Sequence, residues 1–297
     1  ACVPETGWNG SIWNPHVVVS DGDRSGARKL VGGGRATLKL VSPYEEVLRL
    51  QAMAVVFSKF QVLCKELGIR GKNETFERWQ FSRKLKEGRG GDPILPATSF
   101  FCPGLDAELQ GLGVSKPQAI YIYICNGARN LCCELGRASK SALKTLTKQL
   151  RAQAVTVGTS PSSSKSGVIK RKVKKKTPLL ACCPISLRMN SAHYDKMKEL
   201  FRRTREEGVG SFARRSSISA SGNAASEWTA TFHDCLFACL MRYEALQGGG
   251  FQASMGGDAF DVLLRHFDAR MECFASPFNC RYSKYCSAFR DTDAPFG

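Results

Sequence analysis

Met271-Glu272-Cys273-Phe274-Ala275-Ser276-Pro277-Phe278-Asn279-Cys280, running on through Tyr285-Cys286-Ser287-Ala288-Phe289-Arg290-Asp291-Thr292-Asp293, is the stretch on which the fold turns. Met271 to Ala275 is mostly apolar and too short for a helix to be the simpler reading, so it is expected to form a short buried strand. Ser276 and Pro277 punctuate it, and Asn279 is suited to cap a helix that follows. A strand feeding a helix through a compact turn is the building unit of doubly wound α/β sheets, whose ligands sit at the carboxyl ends of the strands.

Working backwards, Asp258 is placed to cap a helix Ala259–Phe267 leading into that strand. Before it, Gly248-x-Gly250-x-x-Ala253 satisfies a dinucleotide fingerprint as letters. The fingerprint needs a strand before its glycines, and here a helix precedes them, so a nicotinamide or flavin site is rejected. That helix, Trp228 to Leu246, has Phe232, Cys235, Leu236, Cys239, Leu240, Tyr243 and Leu246 along one face. Leu179 to Met189 is compatible with a strand, and Ser191 is a cap for a helix through Tyr194, Met197, Leu200 and Phe201.

At the other end, Ser42-Pro43-Tyr44-Glu45 is a helix start: Ser as cap, Pro at the first helical position, Glu completing a capping box. Val47, Leu50, Ala54, Phe57, Phe60, Cys64 and Leu67 follow at helical spacing, and Gly68 ends the run. Phe76, Trp79, Phe81 and Leu85 predict another helix, with Arg78, Arg83 and Lys84 on its other faces, breaking between Gly88 and Pro96. Ala119 to Leu150 reads as one helix or two, apolar at first and basic later. The domain organisation expected is a Gly-rich segment 1–41, a helical domain 42–155, a Ser/Lys-rich basic linker 156–177, and a final domain 178–297.

The 297 residues carry 43 Lys+Arg against 26 Asp+Glu, a net charge of +17, which favours a polyanionic partner. Residues 137–176 hold Arg137, Lys140, Lys144, Lys148, Arg151, Lys165, Lys170, Arg171, Lys172, Lys174, Lys175 and Lys176 with no acid. The bland reading is a solvated helix face and a linker; the sharper one is contact with phosphates or a nuclear-import patch. The 13 cysteines include two adjacent pairs and no Cys-x-x-Cys, which argues against a disulfide framework and against zinc. They point to a reducing compartment, cytosol or nucleus. His16, His193, His233 and His266 are far apart and predict no metal site. No apolar run approaching ~18 residues stands out, so no membrane is expected as a partner.

The helix, the Gly-rich turn, the second helix and then Glu272-Cys273-Phe274-Ala275-Ser276-Pro277-Phe278-Asn279 resemble the phosphorylated C-terminal-domain-interacting factor family, the cap-specific adenosine N6-methyltransferases. Tyr285-Cys286-Ser287-Ala288-Phe289, Asp291-Thr292-Asp293 and Phe296-Gly297 continue the likeness. Weaker blocks agree in order: Glu77-Arg78-Trp79, Arg83-Lys84 and Asp92-Pro93-Ile94-Leu95-Pro96, then Tyr194 to Phe201 with Arg242-Tyr243. The resemblance is poor over 1–70 and 100–180.

This resemblance implies an α+β chain in which a helical domain leads into the start of a class I (Rossmann-like) methyltransferase core. It implies S-adenosyl-L-methionine as cofactor, capped mRNA as substrate, a nuclear location, and the phosphorylated C-terminal domain of RNA polymerase II as a further partner. Position by position, Glu272, Ala275, Ser276, Pro277 and Asn279 fall on the cofactor turn, and Gly250, Phe251 and Gln252 on a segment that closes over its methionine end. Arg129, in Gly127-Ala128-Arg129-Asn130-Leu131, is similar to a position contacting cap phosphates. The family's catalytic Asn-Pro-Pro-Phe occurs nowhere in these 297 residues, so no catalytic residue is assigned, and the loop is expected beyond Gly297. The family's animal members carry a WW domain with two widely spaced Trp; Trp8 and Trp13 are five apart, so none is expected here. The alternative to an enzyme is a non-catalytic basic protein gripping RNA or the phosphorylated polymerase tail.

Overall fold

The computed structural model describes residues 41–87, 91–97, 101–159, 172–174, 177–182, 185–206, 224–246, 256–282 and 284–297. The Gly-rich segment 1–40, Lys170, Arg171, Lys175 and Lys176 of the basic cluster, and Gly250, Phe251 and Gln252 lie outside them. Over the described residues the chain is mostly helical with few strands, an α+β composition. It divides into two compact units.

The helical unit holds α1 (Pro43–Glu66), α2 (Asn73–Glu87), α3 (Pro103–Gly111) and α4 (Gln118–Thr159). Helix α1 starts at Pro43 and ends at Gly68, whose φ of 69° lets its N–H reach Lys65 O at 3.0 Å while Ile69 N–H reaches Cys64 O at 3.0 Å. Its buried stripe is Val47, Leu48, Met53, Val56, Phe60, Leu63 and Cys64. Ala54, expected inside, is exposed, because α1 is apolar nearly all round and the pattern does not fix its phase. An 18-residue window of α1 reaches a mean hydropathy of 1.4, which corrects the expectation that no run is long and apolar enough to cross a membrane. In this structure α1 is a core helix, with Phe57 and Phe60 packed on Phe76 of α2 at centroid distances of 5.1 and 5.5 Å.

Within this unit α1 is tied by charge. Arg242, from residues 241–246, which belong here, donates to both oxygens of Glu46 at 2.8 and 2.7 Å, with both side chains fully buried. Arg49 also donates to Glu46 and to Asp92 Oδ2 at 2.8 Å. Asp92 in turn accepts from the amides of Ile94 and Leu95, holding the extended segment before Pro96. Arg83, expected on an outer face of α2, is 3% exposed. The basic segment and the apolar one before it form a single helix, α4.

The mixed unit holds β1 (Lys172–Lys174), β2 (Thr177–Cys182), β3 (Ile185–Arg188), α5 (Ser191–Glu206), most of α6 (Ala224–Glu244), α7 (Gly257–Phe267), β4 (Met271–Glu272), β5 (Lys284–Tyr285) and α8 (Arg290–Asp293). Strands β1-β2-β3 are antiparallel in that order, so the strand expected over Leu179–Met189 is a hairpin, with Leu180 opposite Leu187 and both buried. Asn190, not Ser191, supplies the cap of α5, its Oδ1 accepting from Ala192 N–H at 2.8 Å. Helix α6 is buried continuously from Cys235 to Leu240, beyond the one face expected. The cap position of helix α7 is Gly256, and no side chain caps it.

Strands β4 and β5 pair in parallel, Met271 opposite Lys284 and Glu272 opposite Tyr285. This corrects the opening expectation in two ways. Met271 is 52% exposed, so the strand is not buried, and no helix starts at Asn279. A single turn comes instead, and the chain returns to lay down a second strand.

Candidate functional site

The Ser276–Asn279 turn is built from its own side chains. Asn279 Oδ1 points backwards and accepts from Ser276 N–H at 2.6 Å and from Ser276 Oγ at 2.9 Å. The Cys280 amide closes the turn on Ser276 O at 2.9 Å. Asn279 is thus used as a turn-former rather than as a helix cap, which is why no helix starts here. Ser276 and Pro277 are buried and Ala275 is half-buried, with its amide on Cys286 O at 3.1 Å.

Glu272 closes the return of the chain. Its Oε1 accepts from the amides of Arg281 at 2.5 Å and Tyr282 at 2.8 Å, and its carbonyl accepts from Cys286 N–H at 2.8 Å. A parallel pair ordinarily needs a long crossover, usually helical. Here a carboxylate takes the amides of the connecting segment, allowing a short one.

Beneath the turn lies Lys196 of α5, which is 5% exposed. Its Nζ donates to Phe278 O at 3.1 Å and Cys280 O at 2.7 Å. Burial lowers the Lys196 pKa from its ordinary value, and the neighbouring Cys280 and Glu272 offset part of that. Sequence reasoning missed this residue; a lysine on an amphipathic helix carries no signal that distinguishes a buried tie from a solvated charge. Nearby, the Tyr285 hydroxyl is buried without a hydrogen-bond partner among the described residues, and burial pushes its pKa well above the usual phenol value. Gly297 lies so close that an added Cβ would sit 2.6 Å from the Tyr285 ring.

Of the site residues expected from the sequence, Glu272, Ala275, Ser276, Pro277 and Asn279 converge on this one turn, with Gly250, Phe251 and Gln252 outside the described residues. Arg129 is in the helical unit, exposed on α4, its guanidinium 5.0 Å from the Phe101 ring centroid. What the turn presents outward is apolar: Phe274 is 97% exposed. No group of three or more His, Cys, Asp or Glu suited to a metal exists among the described residues. His233 Nε2 lies 2.8 Å from the Tyr194 hydroxyl. Every cysteine whose side chain is described is a free thiol.

Over the described residues the chain is helix-rich α+β, with a self-braced turn between two short parallel strands near its end. Residues 196–297, a third of the chain, match the family described as phosphorylated CTD interacting factor 1 WW domain. Proteins of Homo sapiens and Mus musculus, each described as an mRNA (2'-O-methyladenosine-N(6)-)-methyltransferase, are 43% identical to the chain over 68 residues. The aligned part is 21% of this chain and spans 10% of the length of these relatives. The matched stretch contains one tryptophan, Trp228, and its described part is helices with the short β4–β5 pair. Trp8 and Trp13, on which the expectation of no WW domain rested, lie outside it and outside the described residues.

Proposed function

We propose that this chain is part of an S-adenosyl-L-methionine-dependent enzyme that methylates N6 of the cap-adjacent 2′-O-methyladenosine of mRNA. In this reading β4, the turn and β5 are the cofactor side of a class I methyltransferase core. The observation that carries it is the 43% identity over 68 residues to relatives described by that activity. A nuclear location and capped mRNA as partner go with it, as does the phosphorylated C-terminal domain of RNA polymerase II, suggested by the family's description.

The residues fit a cofactor in a restricted way. Glu272 and Asn279 accept hydrogen bonds from Ser276, Arg281 and Tyr282, so these side chains shape the turn. What they leave to a ligand is the outward Phe274 ring, a surface suited to the flat, apolar face of an adenine. When bound, adenosylmethionine supplies the methyl group. The chain contains no Asn-Pro-Pro-Phe to hold the adenine amino group of the substrate, so no methyl-transfer step is assigned to its residues.

Titration of adenosylmethionine and of its demethylated product into the full chain, by calorimetry, tests this. Saturable binding is expected, with Phe274→Ala weakening it about tenfold at unchanged Tm, the loss of roughly one stacking contact of ~1.4 kcal/mol. Asn279→Ala is expected to lower both Tm and affinity, because it unmakes the turn itself. Absence of saturable binding, or a Phe274→Ala variant that binds as well as the parent, would overturn the assignment of this turn.

A further inference from the structure

Helix α4 carries a row of charge that the proposed cofactor turn does not use. Lys140, Lys144, Lys148 and Arg151 are all exposed, and none makes a hydrogen bond or ion pair among the described residues. Their spacing places them along one side of the helix, while Leu135, Ser139, Ala142 and Leu146 are buried on the other. At 1.5 Å per residue the row extends roughly 16 Å with about 6 Å between successive lysines. The last acid of α4, Glu134, is taken by Arg137, and the sequence holds no further Asp or Glu until Asp195. Like charges one turn apart repel and weaken a helix, so helix stability does not account for the row. An anionic partner does.

We infer that this face of α4 is a docking track for the phosphodiester backbone of an RNA strand, gripped by Lys140, Lys144, Lys148 and Arg151. A membrane surface would call for large apolar side chains beside the cations. The exposed neighbours are instead Ser141, Thr145, Gln149 and Ala152. A phosphopeptide carries its charge at isolated modified residues, whereas an even row of four cations suits a polymer charged at every unit. No aromatic side chain interrupts the row, so bases have nothing to stack on, and binding is to the backbone without sequence preference. Ser141 and Gln149 are placed to hydrogen-bond phosphate oxygens or 2′-hydroxyls. The choice of RNA rests on the function proposed above; the cationic row itself does not.

The test is fluorescence anisotropy of the full chain with a capped 20-nucleotide RNA, across 50 to 200 mM salt. Four phosphate contacts on a single strand give a slope of log affinity against log salt of about −3, a loss of about 50-fold across that range. The variant Lys140→Gln/Lys144→Gln/Lys148→Gln/Arg151→Gln is expected to flatten the slope by about 3. A control with the same charge removed elsewhere, Lys65→Gln/Lys116→Gln/Arg265→Gln/Arg290→Gln, is expected to change it by less than about 1. Circular dichroism confirms that both variants fold, and calorimetric adenosylmethionine binding, unchanged in the α4 variant, separates this outcome from failure of the cofactor turn. Equal flattening by both variants would reduce the effect to net charge and overturn the track. Tighter binding of anionic vesicles or a phosphoserine peptide than of RNA, lost in the α4 variant, would overturn the assignment to RNA.

Discussion

Substituting Glu46 by Gln removes the carboxylate shared by two guanidinium groups in the helical unit. Arg242 donates two hydrogen bonds to it, both partners being fully buried. Removing one member of a buried pair leaves an uncompensated charge away from water, a cost of about 3–5 kcal/mol. The reverse substitution is not equivalent. Arg242→Met leaves Glu46 paired with Arg49, so its expected cost is smaller, about 1–3 kcal/mol. Replacing both, as Glu46→Leu/Arg242→Met, removes the charge and its counter-charge together, while Arg49 keeps Asp92 at 2.8 Å. That double variant is expected within about 1 kcal/mol of the parent, since well-packed apolar groups often match a buried ion pair. Urea unfolding followed by far-UV circular dichroism at neutral pH measures all three. If Glu46→Gln costs less than about 1 kcal/mol, or less than Arg242→Met, the shared-carboxylate reasoning is wrong.

Glu77 is 4% exposed, its Oε2 has no hydrogen-bond partner among the described residues, and burial raises its pKa to about 7. The folded state therefore holds a proton that the unfolded state has lost between pH 4.5 and 7, and stability falls as pH rises through that window. Glu77→Gln should stabilise by about 3 kcal/mol at pH 8 and by less than about 1 at pH 5; a gain independent of pH in paired urea melts would refute this. Lys196→Met should cost about 2–3 kcal/mol through two lost charge-assisted bonds. It should also abolish a rise of stability with pH below pH 10.5, because the lowered folded pKa makes the native state release its proton first. Gly71→Ala puts a Cβ 2.9 Å from the Phe60 ring and 3.0 Å from Cys64 Sγ, and thermal melts should show a loss of about 1–3 kcal/mol.

What could be read from the sequence was what neighbouring residues decide. Ser42-Pro43-x-Glu45 and Gly68 bracket α1 because helix ends are set by local caps and the left-handed freedom of glycine. The phase of α1 was not readable, since Val55 and Val62 are exposed while equally apolar neighbours are buried. Helix α3 escaped notice: nine residues with two glycines and two buried leucines carry too few turns to show a period. At the candidate site, the sequence put these residues on one turn without showing that Glu272 and Asn279 bond within it. An Asn after Ser-Pro can cap forwards or fold back, and the choice is made by the strand pairing of Glu272 with Tyr285. Lys196 and Arg83 lie inside although their chemistry says outside, and only long-range packing decides that.

The bonds that shape the candidate turn also imply an order of events in folding. Ser276 with Asn279, and Glu272 with Arg281 and Tyr282, join residues no more than ten apart in the chain. The bonds from Lys196 to Phe278 and Cys280 span 82 and 84 residues. Loop closure disfavours the longer contact in a forming chain, so the turn is expected to take shape on its own and the lysine to latch it late. Mutations inside the turn would then slow folding, while loss of the lysine would speed unfolding, and the time for which the turn keeps its shape would be set from α5.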